Sequence, residues 1–391
     1  MSDALAVRTS ARRVLPKLAC GTLTLVLPRG GRLTLRGKAE GPAATVAVHR
    51  WRALRRLLIG GDIGFAEAYM EGDWSSPDLP ALIEVAARNQ SVIPGVEGGA
   101  WPSRLLNRLR HLARANTLAG SKRNIEQHYD LGNDFYARWL DPGMSYSSAL
   151  FETPGQDLAA AQTAKQDRVL ALLEARPGDS ALEIGIGWGG MAERLAGIGA
   201  RVTGVTLSPA QLAYAENRLA AAGLAADLRL RDYREIAGSF ERIVSIEMLE
   251  AVGEAWWPVY FETLRRSLAP GGVIVLQTIT IADERFAAYR RGADFIQRYI
   301  FPGGMLPSPS VLRAEIGRAG LAVDQVETFG ADYARTLEIW RERFDGAWPE
   351  IAAMGFPARF KRMWDYYLAY CEAGFRAGAI DVGLWRLRHR S

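Results

Sequence analysis

The run Leu182-Glu183-Ile184-Gly185-Ile186-Gly187-Trp188-Gly189-Gly190 is the densest concentration of residues able to do chemistry. It reads as a strand entering a glycine-rich turn that opens a helix. Gly185 and Gly187 permit a ligand to approach the backbone closely, and a turn of this kind suits a bound nucleotide cofactor, a dinucleotide among the candidates. The next strand ends in Thr206, where an acidic residue for a ribose would usually stand, and Gln211 follows on the next helix. Beyond the third strand, Asp232 is placed to accept from an adenine amino group and Tyr233 to line its ring, although Asp232 would serve equally as a cap or turn residue. Glu250 follows the fourth strand. In an apolar pocket its carboxylate would have a raised pKa and act as a base; on a helix surface it would be only a solvated charge.

The elements that must position these residues alternate. A helix over Ala159–Leu173 precedes a strand over Ser180–Ile186 and a helix over Gly190–Ala196. Then come a strand over Arg201–Thr206, a helix over Pro209–Ala222, and strands over Asp227–Leu230 and Arg242–Ile246. A helix over Trp257–Leu268 and a strand over Gly272–Thr278 complete the series. Such alternation predicts an α/β doubly wound parallel sheet, with ligands beyond the carboxyl ends of the strands. Two features favour S-adenosylmethionine over a dinucleotide: the mid-chain position behind a leading helix, and the spacing G-x-G-x-G-G. Class I methyltransferases hold the amino-acid end of that cofactor with E-x-G-x-G-x-G, which Glu183, Gly185, Gly187 and Gly189 satisfy.

Residues 1–115 read differently, as a small α+β domain. Short alternating strands are expected over Leu23–Leu27, Arg32–Leu35 and Ala44–Val48, a helix over Pro80–Arg88, and a basic amphipathic helix over Trp101–Ala115 that reads as a packed linker or an interfacial helix. At 391 residues the chain exceeds what one core usually supports, so a second domain is expected over 116–391. Only five of the 48 basic residues are lysines, and the net charge is +5; arginine binds phosphate in a bidentate fork, which suits anionic headgroups. Two cysteines, Cys20 and Cys371, argue against a disulfide scaffold or a zinc site. No apolar run approaches the length needed to span a bilayer, and no secretory signal is evident. A cytoplasmic protein peripherally associated with the inner face of the membrane is therefore expected, with no nucleic-acid partner.

Along Asn124-Ile125-Glu126-Gln127-His128-Tyr129-Asp130-Leu131-Gly132-Asn133-Asp134-Phe135-Tyr136 the chain resembles the cyclopropane-fatty-acyl-phospholipid synthase family. The resemblance continues through Gly61–Tyr69, Met144–Ser148, the glycine loop, Ser245–Gly253, Tyr299–Ser308 and Phe329–Tyr333, and so covers nearly the whole chain. It implies a class I methyltransferase fold with a helical acyl-binding insertion, here around Asp283–Arg298. Arg285, Arg290, Arg291 and Arg298 of that insertion are headgroup candidates, and the resemblance adds Tyr146 and Ser147 to the cofactor site. His128 would lie in a segment that lids the cofactor. The implied chemistry is attack of an acyl-chain alkene on the sulfonium methyl, followed by proton loss from the resulting cation. Aromatic faces can stabilise such a cation; Tyr129, Phe135, Tyr146, Tyr299, Phe301 and Tyr333 lie in the matching segments, with core packing as the alternative role.

In the family the base is a bicarbonate held by Cys, Glu, His, Tyr and a backbone amide. The matching positions here are Ser148, Glu250, Gln277, Tyr333 and the Ile279 backbone. Serine and glutamine still donate hydrogen bonds, but Gln277 cannot carry charge or shuttle a proton. Either bicarbonate binds a reworked site or Glu250 acts more directly, and the cation's fate changes accordingly. The expected product is a cyclopropane fatty acyl group on an unsaturated phospholipid. The alternative is a methylated unsaturated, branched or furan-precursor chain, with a partner oxidoreductase where the branch is saturated. A homodimer would suit a surface enzyme. Further rivals are a methyltransferase for a soluble or nucleic-acid substrate and a non-catalytic lipid-binding protein.

Overall fold

The computed structural model describes residues 18–90 and 131–390. The helix expected over Trp101–Ala115, the segment holding His128 and Tyr129, and the boundary expected at 115 lie outside them. Backbone contacts group the described residues into two units: 18–90 with 291–300 and 348–379, and 131–290 with 301–347 and 380–390. Two stretches late in the sequence thus join the first unit, which a division into two continuous segments does not anticipate.

The first unit begins with β1 (Cys20–Val26), β2 (Arg32–Arg36) and β3 (Ala39–Val48), then α1 (Arg52–Met70), β4 (Trp74–Ser75) and α2 (Leu79–Arg88). The sheet order is β2-β1-β3-β4, with β1 antiparallel to β2 and parallel to β3. Alternation turns Leu33, Ala44, Val46 and Val48 inward. Asp78 caps α2 by accepting from the Ala81 amide at 2.9 Å. Buried Asn89, just past its end, accepts from the Ala19 and Cys20 amides and donates to the Cys20 carbonyl. Buried Asp73 is paired with Arg50, Arg52 and Arg56. Helix α1 is interrupted at Gly61, whose φ of 60° and ψ of −142° are non-helical. On its first half Trp51, Leu58 and Ile59 are exposed, Leu58 by 76%.

The second unit carries a seven-stranded sheet. Along the chain come α3 (Asn133–Ala137), α4 (Leu158–Leu173), β5 (Ser180–Ile184), α5 (Gly190–Gly197), β6 (Arg201–Thr206), α6 (Pro209–Ala221), β7 (Asp227–Leu230), β8 (Phe240–Ile246), α7 (Trp257–Ser267) and β9 (Leu268–Ile281). Two short helices follow, α8 (Asp283–Tyr289) and α9 (Phe295–Tyr299), then α10 (Pro309–Arg318), β10 (Leu321–Thr328), α11 (Gly330–Ala353), α12 (Ala358–Arg376) and β11 (Ile380–His389). The order β10-β11-β9-β8-β5-β6-β7 reverses direction at β5/β8. Strands β5 to β9 pair in parallel, and β11 lies antiparallel between β9 and β10. This is the class I methyltransferase arrangement, and a ligand crevice is expected where the order reverses. The helical insertion around Asp283–Arg298 consists of two short helices, and α9 groups with the first unit, where the Tyr299 hydroxyl donates to Glu67 at 2.6 Å.

Candidate active site

Strand β5 delivers the glycine loop to the reversal point. Gly185, Gly187 and Gly189 have φ of 86°, 50° and 81°, a region that side chains rarely adopt. Their reasons differ. A Cβ at Gly187 would meet nothing within 4 Å, so the backbone there faces open space, whereas one at Gly189 would lie 2.8 Å from the Ala215 Cβ on α6. Gly187 leaves room for a ligand; Gly189 lets α5 and α6 close. Glu183, within β5, accepts from the Ala192 amide while its Oε2 is buried without a hydrogen-bond partner, and burial pushes its carboxyl pKa upward. At the end of β6, Thr206 Oγ1 accepts from the Ser208 amide at 3.1 Å and donates to Gln211 Oε1 at 3.3 Å. An open, left-handed glycine turn beside buried hydroxyl and amide groups fits the amino-acid and ribose ends of S-adenosylmethionine.

Asp232 caps a short turn, and its carboxylate is gripped by Arg234 through Nε and Nη2, each at 2.7 Å. The Arg234 guanidinium in turn lies over the Tyr233 and Trp256 rings. Tyr233 packs with the core, edge-on to Tyr260 at 5.4 Å, and burial pushes its hydroxyl pKa up to about 12. Asp232 thus caps a turn and pairs with Arg234, an arginine that sequence reasoning did not weigh.

Two carboxylates stand beyond β8. Ile246 is in register with Gln277 on β9, which brings Glu247 and Glu250 against Gln277, Thr278 and Ile279. Glu250 accepts from the Ile279 amide and, at 3.0 Å, from Thr278 Oγ1, while its Oε2 is buried without a partner. Burial, and then the neighbouring Glu247, push the Glu250 pKa up to about 8. Glu247 was not singled out from the sequence, yet most of the expected site converges on it. Its Oε1 accepts from the Ser148 amide at 2.8 Å and Gln277 Nε2 at 2.7 Å, and its Oε2 accepts from the Tyr333 hydroxyl at 2.6 Å. Its φ is +47°. Burial raises its pKa against the opposing pull of these hydrogen bonds and of Lys165. The Ser148 hydroxyl donates to the Ala149 carbonyl at 2.9 Å.

Lys165 was also missed. It lies on α4, 2% exposed, and donates to Ser147 Oγ at 2.7 Å. Its charge reaches Glu247, Asp141 and Glu183, while burial pushes its own pKa down. A lone lysine on the buried face of a helix in an arginine-rich chain was the available signal. Tyr146 lies among Tyr136, Trp139 and Trp340, with centroids 5.3, 5.6 and 5.4 Å away, and Tyr333 is edge-on to Trp340. Phe135 is wholly buried core. Of the arginines proposed for a headgroup, Arg290 pairs with Glu254 and Arg298 lies over the Tyr299 ring.

Similarity to known proteins agrees with this fold. A family model described as mycolic acid cyclopropane synthetase matches residues 117–385. The tuberculostearic acid methyltransferase UfaA1 of Mycobacterium tuberculosis is 41% identical over 366 residues, 90% of this chain and 85% of its own. The cyclopropane-fatty-acyl-phospholipid synthase of Escherichia coli K12 is 36% identical over 367 residues, 93% of this chain and 91% of its own. Among solved structures, the mycolic acid cyclopropane synthase CmaA1 complexed with SAH and CTAB superposes with a TM-score of 0.64 at 31% identity, covering 68% of this chain and 97% of its own.

Proposed function

The chain belongs to the mycolic acid cyclopropane synthetase family, and from that premise we propose that it transfers a one-carbon unit from S-adenosylmethionine to the double bond of an unsaturated phospholipid acyl chain. The observation that carries this reading is the buried pair Glu247 and Glu250 at the point where the sheet order reverses, beside the glycine loop. S-adenosylmethionine supplies an electrophilic methyl when bound. The protein then has to surround a carbon cation with groups that do not attack it and to hold one that removes a proton. Ser148, Gln277 and Tyr333 fix the orientation of Glu247, and Ile279 and Thr278 fix that of Glu250. The rings of Tyr146, Tyr136, Trp139 and Trp340 add polarisable faces close by.

Loss of a proton from the delivered methyl closes a cyclopropane, the first reading. Loss from the chain leaves a methylated alkene, and saturating it would require a hydride from a separate oxidoreductase. Two observations favour this second reading: the altered base site, and similarity to a relative named a tuberculostearic acid methyltransferase. Purified protein, S-adenosylmethionine and monounsaturated phospholipid liposomes decide between them by mass spectrometry and proton NMR. A gain of one methylene with upfield ring protons supports cyclopropanation, and the same gain with vinyl or allylic methyl signals supports the alkene. No gain from protein that still binds the cofactor would place the acceptor outside this class.

Action at a membrane surface is part of the proposal. No helix among the described residues is long and apolar enough to cross a bilayer. Trp51, just before α1, and Leu58 and Ile59 on it are exposed, and their spacing places them on the helical face that carries Arg55, a combination suited to an anionic lipid interface.

A further inference from the structure

Given the acyl-chain methylation proposed above, the reaction needs a group that takes a proton from the alkylated chain, and the family resemblance assigns that work to a bound bicarbonate. The residues present do not fit one. Ser148 Oγ donates to the Ala149 carbonyl, Gln277 Nε2 and the Tyr333 hydroxyl donate to Glu247, and the Ile279 amide donates to Glu250. Each donor at the positions matching the family's bicarbonate ligands is engaged by a group of the protein itself. A further anion would have to enter a dry site beside an existing carboxylate and displace it from its donors, against like-charge repulsion that low dielectric strengthens.

We propose that Glu247 takes the place of the dissolved anion, serving as a proton acceptor built into the chain, so that the enzyme works without bicarbonate. Three observations support the assignment. The Glu247 carboxylate is held by three donors from three separate parts of the second unit: the Ser148 amide, the Gln277 side chain and the Tyr333 hydroxyl. Its backbone φ of +47° is a conformation that non-glycine residues rarely adopt and that recurs at functional sites. Glu250 stands beside it with a free buried oxygen, and in such a pair one carboxyl retains the proton. Burial pushes both carboxyls upward, Glu250 to about 8, while the three donors and the Lys165 charge oppose the rise at Glu247, which marks Glu247 as the acceptor of the pair.

The step balances without a further reagent. Once the alkene has formed its bond to the methyl, the acyl chain carries one positive charge. Glu247 removes one proton from a carbon of the alkylated chain. The electron pair of that C–H bond becomes the new ring C–C bond or the new C=C bond, and the carboxylate becomes a carboxyl. It returns its proton to water when product leaves.

The test compares the full chain with Glu247→Gln and Glu247→Gly, the glycine being at ease in the left-handed conformation. Carbon-13 NMR of labelled bicarbonate is the first readout. Wild type is expected to leave the signal unperturbed, whereas Glu247→Gly, with its donors released, binds the anion. Wild-type binding equal to that of Glu247→Gly would overturn the proposal. The second readout is turnover on dioleoyl-phosphatidylglycerol vesicles in carbonate-depleted buffer. Wild type is expected to stay within about twofold of its rate with bicarbonate added. Glu247→Gln should lose on the order of 100-fold while retaining cofactor affinity by calorimetry, and Glu247→Gly should recover at least roughly tenfold when bicarbonate is added. A wild-type rate that collapses on depletion, or a Glu247→Gln enzyme near full rate, overturns the idea. No wild-type transfer to these vesicles in either buffer would count against the acyl-chain reading itself, and the NMR comparison would still decide the role of Glu247.

Discussion

One cation, Lys165, faces three carboxylates, Glu247, Asp141 and Glu183, in a region cut off from water. Burial opposes ionisation on both sides, so the titrations of this centre depart from ordinary values. Glu250 retains its proton to about pH 8, whereas an unfolded glutamate loses it near 4.5. Between those limits the folded state binds more protons than the unfolded one, so stability falls as pH rises. Glu183, raised by burial, adds in the same direction. Lys165, whose pKa is lowered to about 8, begins to contribute oppositely only above that pH. The melting temperature is therefore expected to decline from pH 5 to pH 8, and Glu250→Gln to flatten the decline; calorimetric scans across that range check both. Motifs brought Ser148, Gln277, Tyr333 and Glu250 into view before any coordinates. Glu247 escaped because nothing in a linear sequence marks a left-handed glutamate, and because it sits only three residues from a second glutamate that the resemblance favoured. Tyr233 was open to two readings because a tyrosine after a strand fits a ligand pocket and a hydrophobic core equally well.

At the level of elements, the strands β5 to β9 were legible because buried parallel strands are apolar runs between turn signals. Strand β11 was not. Arg386 and Arg388 alternate with its inward residues and pair with Glu174 and Asp324, so its charged side reads as surface helix or loop. The insertion after β9 was expected to be helical around Asp283–Arg298, and it forms two short helices that group with different units. The glycine loop separates two kinds of constraint that sequence alone merges. Gly187→Ala should cost about 1–2 kcal/mol from left-handed strain and lower cofactor affinity. Gly189→Ala should add about 1–3 kcal/mol, because its Cβ would press on Ala215. Urea unfolding with and without S-adenosylmethionine tests both, and equal destabilisation by the two substitutions would count against the distinction.

For the molecule as a whole, the arginine-rich composition and net charge of +5 pointed toward anionic surfaces, and α1 now offers a specific place. Leu58 and Ile59 would each contribute roughly 1.5–3 kcal/mol if fully transferred from water to lipid. Leu58→Asp with Ile59→Asp is expected to reduce co-sedimentation with phosphatidylglycerol liposomes by at least about tenfold. Cofactor affinity should be unchanged. Undiminished sedimentation would remove the patch from the interface. Residues 291–300 and 348–379 group with the first unit only through the path of the folded chain, which a linear division of the sequence does not display.

That path bears on how the protein is made. Strand β11 is hydrogen-bonded on both edges, to β9 and β10, and supplies Leu384, Trp385 and Leu387 to the interior. A growing chain emerging from the ribosome would have β5 to β9 in hand long before residues 380–389 arrive. Until then one side of β9 is an open apolar edge, the kind of surface on which nascent chains associate wrongly. Yield in a cell should therefore respond to chaperone supply more than the stability of the finished enzyme would suggest.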